Sequence, residues 1–126
     1  MRRLLFLLST FALIAGLVGA PAYATGSPNV VISQVYGGGG GTGAPYTNDF
    51  VELFNRGNSA VSLTGMSVQY ASAVGTGNFA ANAVVLLGGT LQPGQHYLLQ
   101  LAGGATGSPL PSPDVTSSLV ISNASG

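Results

Sequence analysis

The chain has 126 residues, enough for one domain. Charge is scarce: three basic and three acidic residues make up 5% of the chain, and there is no lysine. That balance excludes the clustered cations that neutralise nucleic-acid phosphates, and the absence of cysteine excludes disulfides and a lipid anchor through an N-terminal cysteine.

Arg2 and Arg3 open the chain, and an apolar run follows from Leu4 to Val18. Ala22-Tyr23-Ala24 then places small residues at the two positions a signal peptidase reads. This order predicts a secretory signal peptide over residues 1–24, cleaved between Ala24 and Thr25. The apolar run is shorter than the roughly 20 residues of a membrane span, and no second run of spanning length follows. The expected mature chain, residues 25–126, is exported to the periplasm, the cell surface or the medium. It keeps Arg56 alone against Asp49, Glu52 and Asp114, formally −2 with His96 neutral. Its stability must come from burial of Val, Ile, Leu, Phe and Tyr, and its many glycines make that harder.

Residues 29–36, rich in Val and Ile, read as the first strand. Residues 37–48 are a long glycine-loaded loop. Strands are predicted over 50–55, 61–63 and 66–70, with Gly65 a bend between the last two. Residues 71–83 read as a loop and 84–87 as a strand. Gln92-Pro93-Gly94-Gln95 has the Pro-Gly centre of a type II turn. A strand over 96–101 follows, in which Tyr97, Leu99 and Leu101 share a face, as Met66, Val68 and Tyr70 do earlier. Pro109, Pro111 and Pro113 keep 102–114 out of a central strand, and 115–122 reads as the last strand. No helical period occurs after the leader. Short strands separated by Gly and Pro predict an all-β sandwich or barrel. Asn123-Ala124-Ser125-Gly126 resembles a hairpin turn without its returning strand, so the domain is expected to be truncated, with residues 115–122 an unpaired edge.

Catalytic chemistry can be surveyed completely. His96 is the one histidine; a triad needs a nucleophile and an acid beside it, and nothing places Asp49 or Asp114 there. Asp49 and Glu52, three apart on a strand, point to opposite faces and make no carboxylate pair. Asn48 and Asp49, with loop carbonyls, would form a Ca²⁺ site starved of carboxylates; the expectation is that Asp49 hydrogen-bonds the 37–48 loop. Glu52 lies between Phe50 and Phe54 on one face, with Arg56 further along it; Glu52 either pairs with Arg56 or accepts backbone N–H bonds from a neighbouring loop. Gly38, Gly40 and Gly43 match G-x-G-x-x-G, but Ala44-Pro45 follows where a phosphate loop needs Lys and Ser or Thr. Asn123-Ala124-Ser125 fits a glycosylation triplet that recurs by chance. No catalytic, cofactor-binding or metal-binding residue is expected, no cofactor is implied, and the partner is unknown.

The segment Val30-Val31-Ile32-Ser33-Gln34-Val35-Tyr36 with its glycines, then Asn48-Asp49-Phe50-Val51-Glu52-Leu53-Phe54-Asn55-Arg56-Gly57, resembles the lamin-tail domain of exported bacterial proteins. The resemblance runs on through Val61-Ser62-Leu63-Thr64-Gly65-Met66-Ser67-Val68-Gln69-Tyr70, Leu91-Gln92-Pro93-Gly94-Gln95-His96-Tyr97-Leu98-Leu99, Leu110-Pro111 and residues 114–122. It implies an immunoglobulin-like β-sandwich. Met66 stands where the family often has Trp, which implies looser packing there, and the family's next strand would follow Gly126. The resemblance further implies a non-catalytic structural or binding module of a secreted protein. The alternative is an N-terminal accessory domain of an extracellular endonuclease/exonuclease or other hydrolase whose catalytic domain lies beyond Gly126.

Overall fold

Short runs rich in Val, Ile, Leu and aromatic residues, bounded by Gly and Pro, form strands in this chain wherever residues two apart can bury one face. The computed structural model describes residues 29–72 and 84–122, and every regular element in it is a strand. These are β1 (Val30–Tyr36), β2 (Asn48–Asn55), β3 (Val61–Ser62), β4 (Ser67–Gln69), β5 (Val84–Leu86), β6 (Thr90–Leu91), β7 (His96–Gly103) and β8 (Val115–Thr116). The leader, most of the 71–83 loop and the Asn123-Ala124-Ser125 triplet lie outside the described residues.

One four-stranded sheet has the order β1-β2-β7-β8; β3 pairs with β6 and β4 with β5. Along β2, Asp49, Val51, Leu53 and Asn55 are buried while Asn48, Phe50, Glu52 and Phe54 are partly exposed. That strict alternation gives the sheet an inner and an outer face. On the inner face Val51 and Leu53 meet Leu99 and Leu101 of β7, and Val85 of β5 covers them, with Val68, Tyr70 and Leu87 packed around it. Each fully buried leucine contributes about 1.5–3 kcal/mol relative to an exposed one. Leu63 and Leu91, at 0% and 2% exposure, close one end through the β3–β6 pair. The result is an all-β sandwich, one of the two forms that the short strands predict and the one that the resemblance implies.

Two glycines are required by the turns they sit in. Met66 N–H donates to Leu63 O at 3.0 Å around Gly65, whose φ is +85°. Gln95 N–H donates to Gln92 O at 3.1 Å around Gly94, φ +73°. Both have the positive φ at the third residue that defines a type II turn.

Three expectations need correction. The strand expected over 115–122 is regular only at β8, which runs parallel to β7 with Leu99 opposite Val115. Beyond it, Ser117 Oγ accepts from Leu119 N–H at 3.2 Å, and this local bond withdraws a donor that a ladder would use. The segment still packs: Leu119 and Ile121 are each 7% exposed, and Ala102 N–H donates to Leu119 O. It is therefore a flank of the core rather than the unpaired strand expected at 115–122. Second, β6 was not predicted, because two residues bounded by Gly89 and Gln92 show no period. Third, β2 begins two residues early and β7 ends two late, at Asn48 and Gly103, which pair with each other. The 37–48 and 102–114 loops lie against each other. Gly40 bridges Thr106, Tyr46 bridges Ser108, and Thr47 N–H donates to Ser108 O at 2.9 Å.

Candidate functional site

The outer face of the four-stranded sheet gathers most of the chain's side-chain chemistry. In the run Val31-Ile32-Ser33-Gln34-Val35, two successive polar residues break the period of two. The structure answers with a β-bulge: Ile32 pairs with Leu53 and Gln34 with Glu52, leaving Ser33 as the extra residue. The bulge turns Ser33 towards β2, where its Oγ donates to Glu52 Oε1 at 2.6 Å. From the other side, His96 Nδ1 lies 2.9 Å from the same oxygen. Three adjacent strands thus supply a Ser33–Glu52–His96 chain with the carboxylate at its centre.

Neither route offered for Glu52 by the sequence is taken. Arg56 is four residues along the same strand, about 13 Å away at the strand rise, whereas His96 is a diagonal neighbour on the adjacent strand. The Ser33 hydroxyl holds the Glu52 carboxyl below its ordinary value of 4.5; partial burial opposes this, and the His96 hydrogen bond and charge reinforce it. The order of contacts does not activate Ser33. A nucleophilic hydroxyl needs the imidazole to take its proton, and here the carboxylate stands between them.

Aromatic rings flank this chain on both sides. Phe50 stacks on Tyr36 at 5.5 Å, and Tyr46 meets both edge-on at 5.9 and 5.8 Å. Phe54 lies 4.7 Å from the His96 ring. Such pairs each add about 0.5–1.5 kcal/mol beyond area burial, so the rings hold one another in place while Tyr46 stays 38% exposed.

The remaining acids are engaged elsewhere. Asp114 lines the same groove as His96, a convergence for which the sequence carried no signal, but its Oδ2 accepts from Leu98 N–H at 2.8 Å and secures the β7–β8 edge. Asp49 sits on the inner side of β2, 5% exposed, and its Oδ1 accepts from Gly39 N–H at 2.7 Å. This is the expected bond from Asp49 to the glycine loop. Asn48 is turned away from any shared site: its Nδ2 donates to Leu101 O, and its Oδ1 accepts from Thr47 Oγ1. Among the described residues, no three His, Asp or Glu side chains converge on a point where a metal could sit, and no helix is long and apolar enough to cross a membrane.

Asn55 is the polar residue whose role the sequence did not reveal. Its side chain is fully buried, donating to Ser59 O and Leu91 O at 2.9 Å each and accepting from Gly57 N–H at 3.0 Å. It locks the β2 end, the turn after it and β6 together.

The family model of the lamin tail domain matches residues 23–125, spanning both faces, the glycine loop and the buried asparagine. The chain belongs to the lamin tail domain family. No curated protein and no solved structure matches it. A lamin tail domain is an immunoglobulin-like, non-catalytic sandwich, and the strands, turns and core above are this chain's version of it.

Proposed function

We propose that this lamin tail domain is a non-catalytic structural or binding module of an exported protein, presenting the outer face of its four-stranded sheet. The observation that carries the reading is the Ser33–Glu52–His96 chain, whose order of contacts suits a fixed, ring-bordered surface rather than a nucleophile. Export is supported by Arg2-Arg3, the apolar run and Ala22-Tyr23-Ala24. Strands β1, β2 and β7 bring no lysine or arginine to this face, which argues against direct phosphate binding. An accessory place beside a secreted nuclease or other hydrolase is the same module in a longer chain.

Two measurements test this. N-terminal sequencing of exported material should begin at Thr25; a retained Met1 refutes cleavage and export together. The purified protein should leave DNA and RNA intact with Mg²⁺, Mn²⁺ or Ca²⁺ present, and cleavage that vanishes in His96→Ala would overturn the non-catalytic reading.

A further inference from the structure

The fold leaves one edge of the main sheet open. Among the described residues β1 pairs with β2 alone and ends the strand order. Ile32, Ser33, Gln34 and Val35, consecutive at its centre, are all exposed. Ile32 and Val35 pair with Leu53 and Val51 and so belong to the inner, core-facing row. They are nevertheless 59% and 61% exposed, so the second layer does not cover them. Ile32 instead borders a groove of about 220 Å³ between β1 and β4, with Leu53, Met66 and Val68 in its walls. Edge strands are ordinarily guarded against other strands by Lys, by inward charge or by Pro, and β1 contains none of these.

The bulge at Ser33 gives this edge a two-fold pattern. Directly opposed residues of an antiparallel pair share a face. In a regular strand neighbours alternate, so an axis between two residues would oppose side chains of different faces. The bulge removes that conflict by setting Ser33 and Gln34 together on the outer side: Gln34 opposes Glu52, and Ser33 Oγ reaches the Glu52 carboxylate. From residue 31 to residue 36 the faces then run outer, inner, outer, outer, inner, outer, the same in both directions. The side chains follow the pattern, with polar Ser33 and Gln34 at the centre, branched Ile32 and Val35 on either side, and Val31 and Tyr36 beyond. An axis between Ser33 and Gln34 sets Ile32 against Val35 of a second copy twice over, and no charge on the strand repels its own copy.

We infer that this edge takes a second copy of the chain, the two β1 strands running antiparallel about a two-fold axis between Ser33 and Gln34. The two four-stranded sheets become one, and Val35 of the second copy lies beside Ile32 at the mouth of the apolar groove. Main-chain hydrogen bonds along the joined edges supply the affinity, and the contacts of Ile32 with Val35 fix the register. One strand pair buries less than the roughly 1,600 Å² of a standard interface, so the dimer is transient, with a Kd on the order of 10⁻⁶–10⁻⁴ M. The ring-bordered outer faces stay open side by side, and the pairing does not depend on their role.

Sedimentation velocity of the purified protein from about 5 to 500 µM should show a monomer–dimer equilibrium within that range. Val35→Lys puts a charge at two points of the seam, and its dimer Kd should be about ten- to a hundredfold higher. A monomer at every concentration would mean that the bulge guards the edge, and an unchanged dimer in Val35→Lys would put the interface elsewhere; either result overturns the inference. Cross-linking reads the register, because the chain has no cysteine of its own. Ile32→Cys mixed with Val35→Cys under mild oxidation should give a disulfide-linked dimer, since opposed Cα atoms lie about 4.5–5.5 Å apart. Each variant alone should give little, because its two copies stand three residues apart along the seam, about 10 Å and beyond disulfide reach. Single variants that cross-link as well as the mixture refute the axis, and absence of the mixed product refutes the pairing. If Val35→Lys does not fold, the cross-linking decides.

Discussion

His96 Nδ1 lies 2.9 Å from Glu52 Oε1, across the pairing of β7 with β2. The contact is half in solvent, with the His96 side chain 54% and the Glu52 side chain 20% exposed. A pair in that setting contributes about 0.2–1 kcal/mol.

Its pH dependence has a definite sign. Glu52 titrates below its ordinary value in the folded chain. Its contribution is therefore complete above the unfolded value of 4.5 and is lost as pH falls through the lower folded value. Melting curves from pH 7 to pH 3 should show an acid limb that Glu52→Gln flattens. Ser33→Ala should weaken that limb more than His96→Ala, because the Ser33 hydroxyl is the largest cause of the shift. The reverse ranking would show that the bulge does not aim Ser33 at the carboxylate.

Asn55→Ala should be among the most damaging polar substitutions. It strands Leu91 O and Gly57 N–H, and it leaves a void where the side chain is 0% exposed. A loss of about 2–4 kcal/mol is expected in urea unfolding, from unmade hydrogen bonds and lost packing. A loss no greater than that of an exposed Asn58→Ala would contradict its locking role.

The glycine loop separates two reasons for glycine. At Gly39 a Cβ would meet backbone of Asn48 and Asp49, whereas at Gly43 it would meet nothing, but φ is +77°. Gly43→Ala should therefore cost about 1–2 kcal/mol from the left-handed backbone alone, and Gly39→Ala more, because backbone must move. Equal midpoints for the two variants would mean that the loop yields freely.

The core prediction rests on Leu99, 0% exposed, against Leu86, 75% exposed. Leu99→Ala should lose about 2–5 kcal/mol, and Leu86→Ala no more than about 0.5 kcal/mol. Denaturant midpoints with unchanged slopes would establish both.

Much of the architecture was legible because it is local. Val51 and Leu53, like Leu99 and Leu101, stand two apart on strands and so share a face, and Gly65 and Gly94 each occupy the one turn position that demands a positive φ. The bond from Asp49 to its glycine loop was legible too, since an Asp at a loop end has few other donors within reach. The pairing of Glu52 was not: along the chain Arg56 is its obvious partner, and only the register of β2 against β7 brings His96 closer.

By itself the sequence determined the strand class, the type II turns, the family resemblance and the scarcity of catalytic groups, because periodicity, turn chemistry and composition are properties of neighbouring residues. Tertiary structure alone decided that Ser33 bulges onto Glu52, that Asp114 secures β8, that residues 117–121 flank the core without a ladder, and that Asn55 is buried with three hydrogen bonds. Each of these depends on which strand lies beside which. That choice is made by burying apolar faces together over the whole chain, where non-directional hydrophobic area sets the layers and hydrogen bonds then select the register.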